Sequence, residues 1–263
     1  MSTYDAFAPI YDDWASHMTE DVEFYVALAR DARADAGAIV ELAVGNGRVA
    51  IPVAEATGAR VIGIDSSPAM LAQARERAAE VGVELELLEG DMRDLAVEEP
   101  AALVYCPFRG LLHLATSADR LCVFERVVAA LRPGGRFAWN AFAFNPHIAA
   151  KNDGAWGEHA GIRHRVDHIP ADNRLDITLA EGGSTSLWWV TRSEWEGLIG
   201  VSGLDVEALY GWFDRRPFDE RSEEFVWVTR KASLARPTSG RAASAARPSE
   251  PRVDPGELVS ERC

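Results

Sequence analysis

The chain has 263 residues, 48% of them hydrophobic and 26% charged. That is enough for one large α/β domain or two small ones, and it is not the composition of a disordered or collagen-like chain. A formal net charge of −14 argues against nucleic acid as a partner and against binding to an anionic membrane surface. No apolar run approaches the roughly 18 residues of a membrane span. The N-terminal MSTYDAFAPIYDDW lacks the basic start and apolar core of a secretory signal. Cys106, Cys122 and Cys263 are too few and too scattered for a disulfide framework or a zinc site. No metal is expected, and a reduced cytoplasm fits.

Residues 1–34 are expected to form N-terminal lid helices. Tyr4, Phe7, Tyr11 and Trp14 recur at helical spacing, either as a helix clamped on a cleft or as ordinary core packing. Residues 35–145 alternate strand and helix patterns. Short apolar runs at 38–44, 60–65, 83–88, 101–106 and 135–142 read as strands. Ser67-Pro68 opens a helix over 68–80, as an N-cap followed by proline at the first helical position. Leu121, Phe124, Val127, Val128 and Leu131 mark a second helix, expected to stop at Gly134-Gly135. Such repeats imply a parallel sheet covered on both faces.

Residues 146–190 read as an antiparallel insertion, with strands at 161–169, 174–180 and 184–190 separated by turn residues. Residues 191–230 supply a closing helix ending at Gly203 and a strand pair. From Lys231 to Cys263 the chain has no aromatic residue and is rich in Ala, Arg, Pro and Ser. It is expected to be a disordered tail.

In an open parallel sheet, ligands bind beyond the carboxyl ends of the strands. Three loops there carry the chemistry. Glu41-Leu42-Ala43-Val44-Gly45-Asn46-Gly47 lets the backbone approach a ligand closely and leads to a helix N-terminus. Asp65 ends the second strand, where a carboxylate accepts both hydroxyls of a ribose. Gly90-Asp91-Met92 follows the third strand; the acid suits an exocyclic amine and the thioether a flat ring. The first loop also fits the dinucleotide fingerprint, so a nicotinamide dehydrogenase is the alternative. Glu41 and the Gly-Asp-Met loop are features that fingerprint does not require.

Together VELAVGNGRVA, GIDSSPAML, GDMRDL, CPFRGLLHL and LRPGGRF resemble the motifs of the class I S-adenosylmethionine-dependent methyltransferases, over roughly residues 4–230. The N-terminal YDAFAPIYDDW and the late antiparallel strands resemble a small-molecule branch that includes sugar-amine and glycine N-methyltransferases. Val44-Gly45-Asn46-Gly47 stands where many members carry Cys-Gly-Thr-Gly, and Ala101-Ala102 replaces the usual acid opening the fourth strand. The resemblance implies a Rossmann-like fold: a mainly parallel seven-stranded sheet with helices on both faces and an added antiparallel substrate-cap sheet.

It implies S-adenosylmethionine as cofactor and S-adenosylhomocysteine as product. Ala43, Gly45, Asn46 and Gly47 would face the methionine part, and Glu41 would help hold its ammonium. Asp65 would take the ribose, with Ser66 and Met70 beside the nucleoside. Asp91 and Met92 would hold the adenine, Cys106 and Phe108 would line the methionine end, and Tyr11 would close over it.

Methyl transfer needs alignment and exclusion of water, and a base only where the acceptor carries a proton. His113 is the candidate catalytic base, and Tyr11, Arg109, His113, Asn140, His147 and Trp188 are the candidate substrate contacts. Arg109 pairs with either an anionic substrate or a surface acid. Trp188 and Trp189 face opposite sides of a strand. His164 and His168 share one face, which looks either into the pocket or at solvent, with solvent the expectation. The expected protein is a cytoplasmic monomer or homodimer that methylates nitrogen or oxygen of a small molecule in secondary metabolism. The alternatives are an NAD(P)-dependent oxidoreductase and an S-adenosylmethionine-binding protein without methyl transfer.

Overall fold

Uninterrupted apolar runs belong in the middle of a sheet whose two faces are both covered, and the fold places them there. The computed structural model describes residues 3–33 and 37–232. Two short 3₁₀ turns, Thr3–Ala6 and Ala8–Ile10, lead into α1 (Tyr11–Ala15) and α2 (Glu20–Arg33). Next come β1 (Ala38–Leu42), α3 (Ala50–Thr57), β2 (Val61–Asp65), α4 (Pro68–Glu80), β3 (Glu86–Glu89) and β4 (Ala101–Cys106). Then follow α5 (Ser117–Ala130), β5 (Leu131–Phe142), α6 (Pro146–Asn152), β6 (Trp156–His159) and β7 (Ile162–Ile169). The chain continues through β8 (Arg174–Leu179), β9 (Ser184–Trp188), α7 (Arg192–Ser202), β10 (Leu204–Tyr210) and β11 (Glu224–Lys231).

The main sheet has seven strands in the order β10-β11-β5-β4-β1-β2-β3. Strands β1 to β5 run parallel, and β11 inserts antiparallel between β5 and β10. Every residue of β1 and of β4 is buried. The chain leaves β3 at one edge and returns on the far side of β1 as β4, so a crevice opens beyond the carboxyl ends of these strands. The second sheet is an antiparallel meander, β6-β7-β8-β9.

On one face of the main sheet Phe124, Phe137, Trp139, Trp195 and Trp227 pack stacked, tilted or edge-on, with ring centroids 4.7–6.2 Å apart. Leu175, Ile177 and Leu187 of the second sheet join this core, which seats that sheet on the body. On the other face Tyr25 of α2 stacks on Tyr105 of β4 at 5.0 Å. Burying such side chains contributes roughly 1.5–3 kcal/mol each.

Local signals work where the backbone alone decides. Ser67 is extended, and its hydroxyl accepts from the Met70 N–H at 3.2 Å. Thr191 and Glu194 form a reciprocal capping box at the start of α7, and Gly203 ends that helix in the left-handed region. Other expectations are corrected. Helix α5 ends at Ala130, not at Gly134-Gly135, because Pro133 disfavours helical backbone before it and Leu131 already pairs with Ala101 of β4. Strand β3 starts at Glu86, where pairing with Ile62 begins, rather than at 83. The aromatic stripe from Tyr4 to Trp14 is not one helix; it passes through two 3₁₀ turns, with Pro9 in the second, before α1. Helix α6 and strand β6 stand where no element was predicted. Lys231 belongs to β11, its ammonium donating to the Val128 and Leu131 carbonyls at 2.6 Å. The remainder of the expected tail, from 233 on, lies outside the described residues.

Candidate active site

A cavity of about 520 Å³ opens beyond the carboxyl ends of β1, β2, β3 and β4, well within the size range of small-molecule sites. Among the residues singled out in the sequence, Tyr11, Ala43, Gly45, Asp65, Ser66, Met70, Asp91, Met92, Phe108, His113 and Trp188 all line it. They come from the N-terminal segment, the loops after four strands of the main sheet, and β9.

The loop after β1 turns sharply, with Ala43 at φ 53° and Gly45 at φ 55°. A Cβ on Gly45 would sit 3.7 Å from both the Tyr11 hydroxyl and the Met70 methyl, so the missing side chain leaves the backbone open to a ligand there. Asp65 fastens this loop. Its carboxylate accepts the Gly45 N–H at 2.8 Å and the Ser67 N–H at 2.8 Å. Burial raises its pKa, and these main-chain donors oppose the rise. With the Ser66 N–H as a third donor, the carboxylate keeps lone pairs that can accept further hydrogen bonds.

Asp91 is clamped by Arg93, whose guanidinium reaches both carboxylate oxygens at 3.0 and 2.6 Å and also Asp119 at 2.7 Å. The Arg93 fork holds the Asp91 carboxyl below its ordinary range. Tyr4, Arg93, Asp119, Ser184 and Ser186 also line the cavity and were not among the site residues read from the sequence. Tyr4 was visible only as part of the aromatic stripe, and nothing local marks the serines of β9 as cavity residues.

His113 lies between the Tyr4 ring, 5.0 Å away and edge-on, and the Ser186 backbone. Burial lowers its pKa to about 4, and the hydrogen bond to Ser186 partly offsets this. It is therefore a neutral, fixed imidazole of low basicity.

Seven expected site residues stand elsewhere. Glu41 is buried below the loop, its carboxyl group accepting from the Tyr105 hydroxyl at 2.7 Å; burial raises its pKa to about 8. Asn46 turns away and donates to Asp12 at 2.9 Å. A Cβ on Gly47 would meet Ile51 at 2.9 Å, so that glycine serves the packing of α3. Cys106 ends β4 inside the core, its sulfur directly beneath Gly110, and Pro107 and Phe108 take the wall instead. Asn140 is buried and donates to Glu224 at 2.7 Å. His147 is exposed on α6.

Arg109 also stays outside the cavity lining. Its guanidinium pairs with Glu224 at 2.8 Å and lies 5.5 Å over the Phe142 ring, so its partner is an acid of the protein, and a buried one rather than the surface acid expected. Phe108 and Arg109 are both left-handed, at φ 50° and 65°. Adjacent non-glycine residues in that region mark a loop held under strain by its surroundings. His164 and His168 lie on the covered face of β7, in register with Leu179 and Leu175, and not toward solvent. His164 meets the Trp14 ring edge-on at 5.1 Å.

The N-terminal segment is tied over the cavity by polar bonds. Ser67 donates to Asp5 at 2.6 Å, Gln73 to the Ala8 carbonyl at 2.9 Å, and Arg77 to Asp12 at 2.7 Å. Arg48 grips the buried Asp21 with two bonds of 2.8 and 2.6 Å and lies 5.1 Å over the Phe108 ring. Among the described residues no cluster of His, Cys, Asp and Glu suits a metal ion, and no helix is long and apolar enough to cross a membrane.

A parallel sheet with a glycine turn after β1, an acid closing β2 and an acid after β3 defines a nucleoside-binding α/β protein. Comparison with known proteins makes the class specific. The family model described as a methyltransferase domain matches residues 39–135. Demethylmenaquinone methyltransferase of Thermus thermophilus is 30% identical over 163 residues, covering 55% of this chain and 73% of that protein. Cypemycin N-terminal methyltransferase of a Streptomyces species is 25% identical over 240 residues, covering 86% of this chain and 97% of the relative. The solved structure of the CcbJ methyltransferase from Streptomyces caelestis superposes with a TM-score of 0.70 at 26% identity, covering 82% of this chain and 89% of that one. The chain belongs to the class I S-adenosylmethionine-dependent methyltransferases. Its cofactor is accordingly S-adenosylmethionine, and the nicotinamide alternative falls away.

Proposed function

We propose that the protein transfers the methyl group of S-adenosylmethionine to a nitrogen or oxygen of a small molecule, in a secondary-metabolic setting. The observation that carries this reading is the continuity of the cavity. One space of about 520 Å³ joins the Asp65 and Asp91 loops to a wall of Tyr4, Tyr11, Phe108 and Trp188. An aromatic wall suits a compact, partly apolar acceptor rather than a large flat partner. The cypemycin enzyme, by its name, methylates an N-terminus, which supports nitrogen among the acceptors.

The residues present fit the cofactor. Asp65 has acceptor capacity left for ribose hydroxyls, Met70 and Met92 offer thioethers to a flat ring, and the open backbone at Gly45 admits the chain between them. When bound, the cofactor supplies a methyl group on a positively charged sulfur. Tyr11 and Phe108, whose ring centroids stand 6.0 Å apart, fence that end of the cavity, orient the acceptor and exclude water. Such positioning accounts for much of the acceleration in a direct displacement.

A melting scan with S-adenosylhomocysteine, S-adenosylmethionine and NADH in separate wells tests the cofactor. At about 100 times its dissociation constant a bound ligand stabilises the fold by roughly 2.7 kcal/mol. A shift with the first two and none with NADH is the expected result. A panel of amines, amino sugars, phenols and alcohols, read by mass for the gain of one methyl, then identifies the acceptor. A shift with NADH alone overturns the proposal.

A further inference from the structure

Phe108 and Gly110 line the cavity, while Arg109 between them turns its side chain into the protein. The Gly110 N–H donates to the Pro107 carbonyl at 3.1 Å. That bond closes a turn whose two central residues, Phe108 and Arg109, are both left-handed, at φ 50° and 65°. Glycine, asparagine or aspartate is the usual occupant of such positions. Phenylalanine and arginine keep this shape only where the surroundings outweigh the strain. The Arg109 carbonyl accepts from the Leu112 N–H at 2.9 Å and opens the 3₁₀ turn Gly110–His113. The conformation of Arg109 therefore sets Phe108, Gly110 and His113, all on the cavity wall.

The anchor for Arg109 lies 115 positions away. Glu224 opens β11 and is buried. Its two carboxylate oxygens accept from Arg109 Nε at 3.2 Å and Nη2 at 2.8 Å. A two-point fork of this kind fixes direction as well as distance. Glu224 is itself fixed. It is in register with Phe142 of β5, and its Oε1 accepts from the buried Asn140 amide at 2.7 Å. The Asn140 carbonyl in turn accepts from the Tyr25 hydroxyl of α2 at 3.2 Å. The carboxylate is thus part of the sheet, and the turn hangs from it.

We propose that Glu224 is a positioning residue for methyl transfer: through Arg109 it holds the Pro107–Gly110 turn so that Phe108 stands in the cavity opposite Tyr11. This rests on the methyl-transfer reading above. The ion pair does not itself touch the acceptor. Without it the turn relaxes toward ordinary negative φ, and Phe108 leaves its place 6.0 Å from the Tyr11 ring. A misplacement of about 1 Å in a group that orients the acceptor costs about 10²-fold in rate. The loops of Asp65 and Asp91 are held by their own hydrogen bonds, so cofactor affinity does not follow the loss.

The test uses the full chain with 4-fluorophenylalanine incorporated in place of Phe108, with and without Glu224→Gln. The glutamine keeps an oxygen for Asn140 and loses the charge that grips Arg109. A second variant, Arg109→Gly with Glu224→Gln, leaves no unpaired buried charge and relieves the left-handed strain, so it folds where the single variant fails. Trp189→Ala, which loosens packing away from the turn, is the control. Both Glu224 variants should shift or split the fluorine resonance of the ligand-free chain, and Trp189→Ala should leave it in place. On the acceptor returned by the panel, kcat should fall about 10²-fold in the Glu224 variants, with S-adenosylhomocysteine affinity at the wild-type value. A wild-type resonance or a wild-type kcat in these variants overturns the proposal. An equal loss of kcat in Trp189→Ala, or a matching loss of S-adenosylhomocysteine affinity in the Glu224 variants, also overturns it. Failure of the wild-type chain to bind S-adenosylhomocysteine overturns the methyl-transfer reading instead. The fluorine measurement needs no acceptor, so it decides on the protein alone.

Discussion

The two walls of the cavity are built by different means. The sheet-side wall is main chain: tight turns after β1, β2 and β3, held by Asp65 on backbone N–H groups and by Asp91 on its neighbour Arg93. The facing wall is side chain, gathered from the N-terminal segment, the loop after β4 and the second sheet, and tied by contacts such as Ser67–Asp5 and His17–His159. The first wall is set by local sequence and strand register. The second depends on partners far apart in the chain. Strand ends make a stiff mould for a fixed cofactor, whereas loops and an added sheet can change shape for different acceptors.

The largest expected effect lies on the stiff wall. Gly45→Val places a branched side chain at φ 55°, against Tyr11 and Met70. S-adenosylhomocysteine affinity should fall by more than about 100-fold, with roughly 1–3 kcal/mol of backbone strain appearing as a lowered Tm. Wild-type affinity would show that the ligand does not pass over this loop.

Glu41 sharpens the comparison from beneath. Its folded pKa of about 8 lies above that of an unfolded carboxyl group, so the folded state keeps the proton between the two values. Its contribution to stability is present in acid and is lost as pH rises to and through 8, by at most about 1.4 kcal/mol per pH unit. Glu41→Gln should flatten the decline of Tm across that interval. An equally steep decline in the variant would locate the titrating group elsewhere.

The smallest effects come from the facing wall. Trp188 lines the cavity, while Trp189 stacks on Phe144 at 4.2 Å and 7°. Trp189→Ala should lose about 1 kcal/mol of stability with acceptor KM unchanged. Trp188→Ala should raise KM at nearly constant Tm. Thermal melts and steady-state kinetics on both variants check this, and a reversal of the two patterns would mean that the strand is turned the other way.

The same contrast explains what could be read from the sequence. Strand β4 and helix α4 follow from an apolar run and from Ser67-Pro68, both local. The cavity residues of the loops after β1 to β3 follow from turn chemistry at strand ends. Strand β6, Trp-Gly-Glu-His, has no alternation and is largely exposed; it exists through pairing with β7. Asn145-Pro146 did carry an N-cap signal for α6, as the Asn145 side chain accepts from the His147 N–H at 2.9 Å. Arg109 meets Glu224 across 115 positions, and no short-range pattern reveals such a pair. Glu41, Asn46 and Cys106 sit in motif segments yet point into the protein, because strand alternation and packing, not the motif, aim each side chain.

The most direct test of the cofactor site is calorimetric titration of S-adenosylhomocysteine into the wild type and Asp65→Ala. Charge-assisted hydrogen bonds are worth roughly 1.5–3 kcal/mol each, so the variant should bind about 10- to 150-fold more weakly while circular dichroism shows an intact fold. Equal affinity in the two proteins would contradict the placement of the ribose at Asp65, and with it the orientation assigned to the whole cavity.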